Sequence, residues 1–403
     1  MKVLFSHQNF PAQFGAFGSY LARNGWDVTF VTAAEAKVAP DKCRLIKMRP
    51  HRSNTKGIHR FAHALEKSMI NGQAFANACI QARDAGYVPD VVVAHSGWGS
   101  GTFAKAVWPD CKYVAYVEWY YRWPMVDFAG DKIFQSDEDG RAMALSRNAP
   151  TLLDLVEADH VFCPTAFQAE QFPAMYHSNM TVMHDGIDTR LHAPAPGRKM
   201  QIPGGTLTTE NEVVTFATRG MEPHRGFPQF MRALKQLQLK RPNLHAVIGG
   251  EDRVAYGRGL PKGESWKQRM IDELDLDLSR VHFVGFLPRQ DYVRMLQCTD
   301  LHVYLTVPFV LSWSMIEAMS VGCPIVASDV APVREALVDG KNAILVDHNN
   351  VDALSAAMEH TLDDRQKAKS LGLSARDTAL RRYCSSWIYP ARAELLRSLV
   401  GGD

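Results

Sequence analysis

The chain has 403 residues, more than one hydrophobic core of roughly 250–300 residues supports, so two or three domains are expected. Hydrophobic residues make up 46% and charged residues 22%, the balance of an ordinary globular protein and not of a disordered or fibrous one. A net charge of +2 removes any global electrostatic case for nucleic acid as a partner.

In chain order, apolar runs predict strands at 2–6, 27–32, 91–95, 113–117, 160–163 and 181–184, with helical patterns between them. After the first run comes SHQNFPAQFG, a polar loop carrying His7, Gln8, Asn9 and Gln13. The segment 42–60 holds seven Lys and Arg residues and no acidic one, interleaved with Leu45, Ile46 and Met48. It reads either as a solvated loop and helix face or as a surface for an anionic membrane.

The run 91–95 ends on His95 and leads into glycines at 97, 99 and 101, while Glu118 closes the next run. This resembles a dinucleotide loop with its ribose acid, but the third glycine position holds Thr102 and the strand is third in order, so a nicotinamide site is not expected. His95 is either a ligand-facing residue or a structural cap of the strand end. Glu118 with WYYRW is either a carbohydrate platform or a packed aromatic corner. Asp137-Glu-Asp139 and Asp275-Leu-Asp277 sit in polar segments away from strand ends and read as solvated surface, so no metal is expected.

Residues 192–212 are rich in Pro, Gly and polar residues and read as a linker or the opening loop of a second domain. A second strand series follows at 213–217, 244–249, 281–284, 301–305, 324–327 and 343–346, and from 350 onward the pattern is helical. Strands that are apolar throughout fit parallel sheets covered on both faces, which predicts two doubly wound α/β domains with ligands at the carboxyl ends of the strands. Seven scattered cysteines without a C-x-x-C pair read as reduced thiols. The start MKVLFSHQNFP turns polar too soon for a signal core, and no run reaches the ~18 apolar residues of a membrane span. A cytoplasmic protein is expected.

In RGMEPHRGF, Arg219 and Arg225 stand on a strand–loop–helix junction, where two guanidiniums beside a helix start suit a diphosphate; the bland reading is solvated loop charge. Further on, a helix expected from about Ser314 carries Glu317 in EAMSVGCPIVAS. Ser314 and Glu317 have the spacing of a capping box.

The stretch 308–347 resembles the sugar-nucleotide half of family 4 glycosyltransferases, and RGMEPHRG resembles their arginine–lysine phosphate loop with Arg225 in the lysine's place. GFLPRQDYVRMLQCTDLHVYLT is similar to their segment near the base, and HDGID (184–188) adds a looser likeness. The resemblance implies a GT-B fold: two Rossmann-like parallel-sheet domains facing across a cleft, with a C-terminal helix returning to the first. The corresponding boundaries are 1–192, 193–375 and 376–403.

By the same resemblance, Arg219 and Arg225 hold the donor diphosphate, Glu317 binds the ribose diol, and backbone N–H groups at Leu311, Ser312 and Trp313 lie near sugar and phosphate. His95 stands where the family has a cleft histidine, and His7, Gln13 and Glu118 fall on the acceptor side. Phe309 occupies the place of a family glutamate that meets donor hydroxyls, and Leu311-Ser312 replaces a Phe-Gly pair. The implied activity is a retaining, metal-independent hexosyltransferase of polysaccharide biosynthesis, using a nucleoside-diphosphate sugar, a glycan or lipid-linked acceptor and no separate cofactor. Contact with the inner face of an anionic membrane is a further expectation. The alternatives are a GT-B sugar-nucleotide epimerase or hydrolase, or a sugar-nucleotide-binding protein without turnover.

Overall fold

The apolar runs of the first half become parallel strands β1 (Lys2–Ser6), β2 (Asp27–Thr32), β3 (Arg44–Lys47), β4 (Val91–His95), β5 (Lys112–Tyr116), β6 (His160–Cys163) and β7 (Met180–Val182). They form one sheet in the order β3-β2-β1-β4-β5-β6-β7. Every residue of β4 is buried, which is why VVVAH carries no alternation. β3 was not expected. Its sequence RLIK exposes Arg44 and Lys47 at the sheet edge, where charge discourages pairing with another chain.

This computed structural model describes residues 1–35, 39–123, 138–197, 199–203, 205–257 and 259–401. The chain divides into two units, Met1–Asp185 with Ser386–Asp403, and Gly186–Ser385. The second unit opens with a hairpin inside the expected linker, β8 (Met200–Ile202) and β9 (Gly205–Leu207). Its main sheet contains β10 (Glu212–Gly220), β11 (Leu244–Glu251), β12 (Val281–Gly285), β13 (Leu301–Tyr304), β14 (Ile325–Ser328) and β15 (Ile344–Val346). The order is β12-β11-β10-β13-β14-β15, again parallel throughout.

The divisions, after Asp185 and after Ser385, fall seven residues before and ten residues after the expected 192/193 and 375/376. Tyr383 and Ser385 hydrogen-bond through their backbones to Ile187, so the chain's entry to and exit from the second unit are stitched together there. The helix Arg365–Arg382 runs through 376 without a break. The last helix, Ser385–Gly401, sends Ala393 and Leu396 into the first unit's core with Phe5, Phe17 and Phe162. Its Arg392 is 2% exposed, donates to the carbonyls of Met183 (3.0 Å) and His184 (3.1 Å) and pairs with Asp185 at 3.4 Å. Asp185 also accepts from the Tyr116 hydroxyl at 2.9 Å.

In both sheets the connections reverse direction at the centre, between β1 and β4 and between β10 and β13. The carboxyl ends at such a point are where an open α/β sheet receives ligands.

Candidate functional site

At the reversal point of the first unit, the structure brings His7, Gln13, His95 and Glu118 into one cluster. His95 ends β4 and is buried; its Nδ1 lies 3.0 Å from the Ser96 carbonyl and its Nε2 3.0 Å from a Glu118 oxygen. The other Glu118 oxygen accepts from Gln13 at 2.7 Å. The His7 ring meets His95 edge-on at 4.4 Å, and its Nδ1 accepts the Asn9 N–H at 2.7 Å. Glu118 therefore fixes the His95 ring and the Gln13 amide together, although 23 and 105 positions separate them from it.

The glycine loop after His95 is held by the protein itself. Buried Asp154 accepts from Ser96 Oγ at 2.8 Å, the Gly97 N–H at 2.8 Å and Thr102 Oγ1 at 2.6 Å. Burial raises this carboxyl above its ordinary value while the three donors pull the other way. Gly99, at φ 82°, lies so close to the helix His63–Asp84 that a Cβ would stand 2.0 Å from the Ser68 carbonyl oxygen. The Gly97 N–H is taken by a carboxylate, and the positive φ and close neighbours of the loop account for the glycines without a dinucleotide.

In the second unit, β10 leads through Glu222 into a single turn, Pro223–Arg225, before the helix Phe227–Lys240. Arg225 is 6% exposed. It donates to Thr306 Oγ1 at 2.8 Å, to the Val310 carbonyl at 3.2 Å and to the Tyr304 hydroxyl at 3.4 Å. Tyr256 and Phe309 each put a ring near its guanidinium, at 5.1 and 5.6 Å. It forms no ion pair among the described residues, so a buried positive charge is held by neutral partners. Burial pushes the neighbouring His224 down to about 3, with the Arg225 charge adding to the effect.

Phe309 is half-buried and packs its ring against His224 at 4.7 Å and Tyr256 at 5.3 Å. It covers the arginine rather than filling the core. Ser312 caps the helix Trp313–Val321, and its N–H is taken by the Tyr304 hydroxyl at 3.0 Å. Leu311 is buried in the core and Trp313 packs partly against it. Because the helix begins at Trp313, Glu317 is beyond the third helical position, and the capping-box reading fails.

Glu317 is 7% exposed and lies 3.4 Å from His192 Nε2 and 3.8 Å from an Arg289 nitrogen. Burial, and then the Glu317 charge, raise the nearby Tyr292 hydroxyl well above its ordinary value. Arg219, near the end of β10, is exposed, and no hydrogen bond or ion pair among the described residues joins it to Arg225. Glu222, Tyr256, Thr306, Tyr304 and His192 were missed. Each reaches the site through a partner distant in sequence, such as His192 with Glu317, which the local stretches around them do not reveal.

Asp277 caps a short turn at 278–280, Asp275 is exposed, Asp139 pairs with Arg60, and Asp137 lies outside the described residues. Among the described residues no group of three or more His, Cys, Asp or Glu is arranged to hold a metal ion. In the basic segment, Arg44, Arg52 and Arg60 pair with Asp27, Glu66 and Asp139, while Leu45, Ile46 and Met48 pack inward. Among the described residues no helix is long and apolar enough to cross a membrane.

Two parallel-sheet α/β units, each with its polar cluster at the sheet's reversal point, define a double Rossmann-like protein. Residues 24–192 match the Glycosyl transferase family 4 group and residues 201–378 match Glycosyl transferases group 1. The chain belongs to the family 4 glycosyltransferases, with the GT-B fold.

Among curated relatives, it is 26% identical over 61% of its length to GDP-mannose-dependent alpha-(1-6)-phosphatidylinositol monomannoside mannosyltransferase of Mycolicibacterium smegmatis. It is 27% identical over 51% of its length to D-inositol 3-phosphate glycosyltransferase of Mycobacterium sp. strain KMS. The matches span 63% and 44% of those two relatives. Among solved structures, sucrose-phosphate synthase from Thermosynechococcus elongatus superposes with TM-score 0.74 at 18% identity, covering all of both chains. Anabaena HepE, solved with UDP, gives 0.67 at 17% identity over 99% of this chain and 100% of that one.

Proposed function

We propose that this chain is a retaining glycosyltransferase that moves a sugar from a nucleoside-diphosphate donor to a glycan or lipid-linked acceptor. The observation that carries the reading is Arg225, a buried guanidinium held by neutral partners at the carboxyl end of β10. The Glu222 carboxylate acts on this charge through space but makes no contact ion pair with it among the described residues, and a diphosphate supplies direct anionic contacts through bidentate charge-assisted bonds. Exposed Arg219 adds a second cation to the diphosphate, and Glu317 accepts from the ribose diol. The curated relatives bear glycosyltransferase names, and HepE has been solved with UDP and with UDP-glucose, which supports a nucleotide-sugar donor here.

In the reaction, the bond from the anomeric carbon to the diphosphate oxygen breaks while the acceptor oxygen bonds to that carbon from the same face. The acceptor's proton passes to the departing phosphate oxygen, so the two guanidiniums act by stabilising its growing charge. We assign His95, oriented by Glu118, to the transferring sugar, and His7 and Gln13 to the acceptor side. The guanidiniums provide the counter-charge, and we assign no resident metal; EDTA is expected to leave the rate unchanged.

For a lipid-linked acceptor, the exposed cations Lys42, Arg49 and Lys56 are the residues assigned to an anionic membrane surface. Preferential co-sedimentation with anionic over neutral vesicles tests this, and equal partition ends it. A thermal-shift screen of UDP-, GDP- and dTDP-sugars tests the donor class. A donor at 100 times its Kd stabilises by about 2.7 kcal/mol, a shift of several degrees. No shift with any of the three families would overturn the reading.

A further inference from the structure

Glu222 is fully buried, yet no cation pairs with its carboxylate among the described residues. Its oxygens are instead wrapped by three successive backbone N–H groups from the loop after β11. Ala255 donates at 3.1 Å, Tyr256 at 3.1 and 3.2 Å to the two oxygens, and Gly257 at 2.7 Å. These charge-assisted bonds offset the burial of the carboxylate and leave it no capacity for a ligand.

The loop is drawn tightly onto the end of β10. A Cβ on Gly220 would lie 2.5 Å from the Arg253 carbonyl oxygen, and one on Gly250, at φ 135°, would lie 2.1 Å from that of Thr218. Tyr256, the middle residue of the wrapped three, faces the Arg225 guanidinium at 5.1 Å and the Phe309 ring at 5.3 Å. One carboxylate thus sets where this ring stands over the arginine. A planar cation with two rings set against it keeps its fork in one orientation, which a diphosphate requires for two parallel bonds.

We propose that Glu222 is a positioning residue for the donor diphosphate: it clamps the loop 255–257 so that Tyr256 orients Arg225. The inference rests on the assignment of Arg225 to the diphosphate. It concerns a residue that touches neither sugar nor nucleotide and acts by holding the loop, while its charge is also felt by Arg225.

The test is a double-mutant cycle on the full chain, with UDP and GDP as probes in titration calorimetry. Glu222→Gln keeps the size but sets an amide NH2 against the loop's N–H donors. Glu222→Gln and Tyr256→Ala are each expected to weaken nucleotide binding by about tenfold, the scale of one charge-assisted contact. The double variant is expected to lose about tenfold as well rather than about a hundredfold, because both act through one path. Hydrogen exchange at amides 255–257 should rise in Glu222→Gln.

Wild-type affinity in a folded Glu222→Gln variant overturns the proposal, as does an additive double variant. If Glu222→Gln does not fold, Tyr256→Ala decides alone, and unchanged affinity there overturns it. A wild-type protein that binds neither probe, or an Arg225→Ala variant that binds as the wild type does, refutes the diphosphate assignment itself. Loss in Arg225→Ala with none in Glu222→Gln refutes only the clamp.

Discussion

Replacing Arg225 by alanine removes the one buried guanidinium of the candidate donor site, and its consequences divide into affinity and stability. A charge-assisted contact to phosphate is worth about 1.5–3 kcal/mol, so nucleoside-diphosphate affinity should fall by about 10- to 150-fold. Stability should change less. The lost bonds go to the neutral acceptors Thr306, Val310 and Tyr304, and Thr306 Oγ1 keeps its own bond to the Val307 carbonyl at 2.9 Å. Removing a buried charge also relieves its desolvation, so the net loss is about 1–2 kcal/mol, or a few degrees in a unit of this size. Arg225→Lys keeps the charge but not the fork, and should fall between alanine and wild type. The assay is calorimetric titration with whichever of UDP and GDP binds the wild type, with Tm recorded alongside. A folded alanine variant that binds within about twofold of wild type would refute the diphosphate assignment, since the smallest expected loss is near tenfold.

Three further outcomes follow from the geometry. His95→Ala should lower turnover and leave nucleotide affinity unchanged, because His95 belongs to the first unit and Arg225 to the second; a loss of affinity with turnover intact would contradict its role. Arg392→Ala leaves Asp185 and two carbonyls without their buried partner, which should cost about 3–5 kcal/mol and show as an early unfolding step in the first unit. Burial lowers His302 to about 4, so the unfolded chain binds more protons than the folded one between the ordinary histidine value and that point. Stability should therefore fall as pH drops from about 6.5 towards 4, and a His302→Gln variant should flatten the slope over that window.

The sheets were legible because their strands are buried on both faces and so read as unbroken apolar runs. β3 was not, since an edge strand with Arg44 and Lys47 outward looks like a basic loop. The hairpin at 200–207 was hidden in a Pro- and Gly-rich stretch. Arg225 and Glu317 could be picked out because each sits in a recognisable local pattern, the first at a strand–loop–helix junction and the second inside a helix. Glu222 could not, since what marks it is three N–H groups more than 30 positions away. Arg392 and Asp185 are 207 positions apart, and only the folded chain makes them neighbours. The glycines after His95 carried a strong local pattern whose cause, the positive φ of Gly97 and Gly99 and the close approach of Ser68 and Ala94, could not be seen in it.

The most direct measurement of the central claim is a transfer assay followed by NMR with a donor labelled at the anomeric carbon. The donor is chosen by the thermal-shift screen, and the acceptors are a panel of glycans and lipid-linked glycans. The account predicts nucleoside diphosphate and a glycoside in equal amounts, with the anomeric configuration of the donor kept in the product and the signal lost in Arg225→Ala. Free sugar or an epimerised donor as the sole product would contradict transfer, and an inverted anomeric centre would contradict the retaining mechanism.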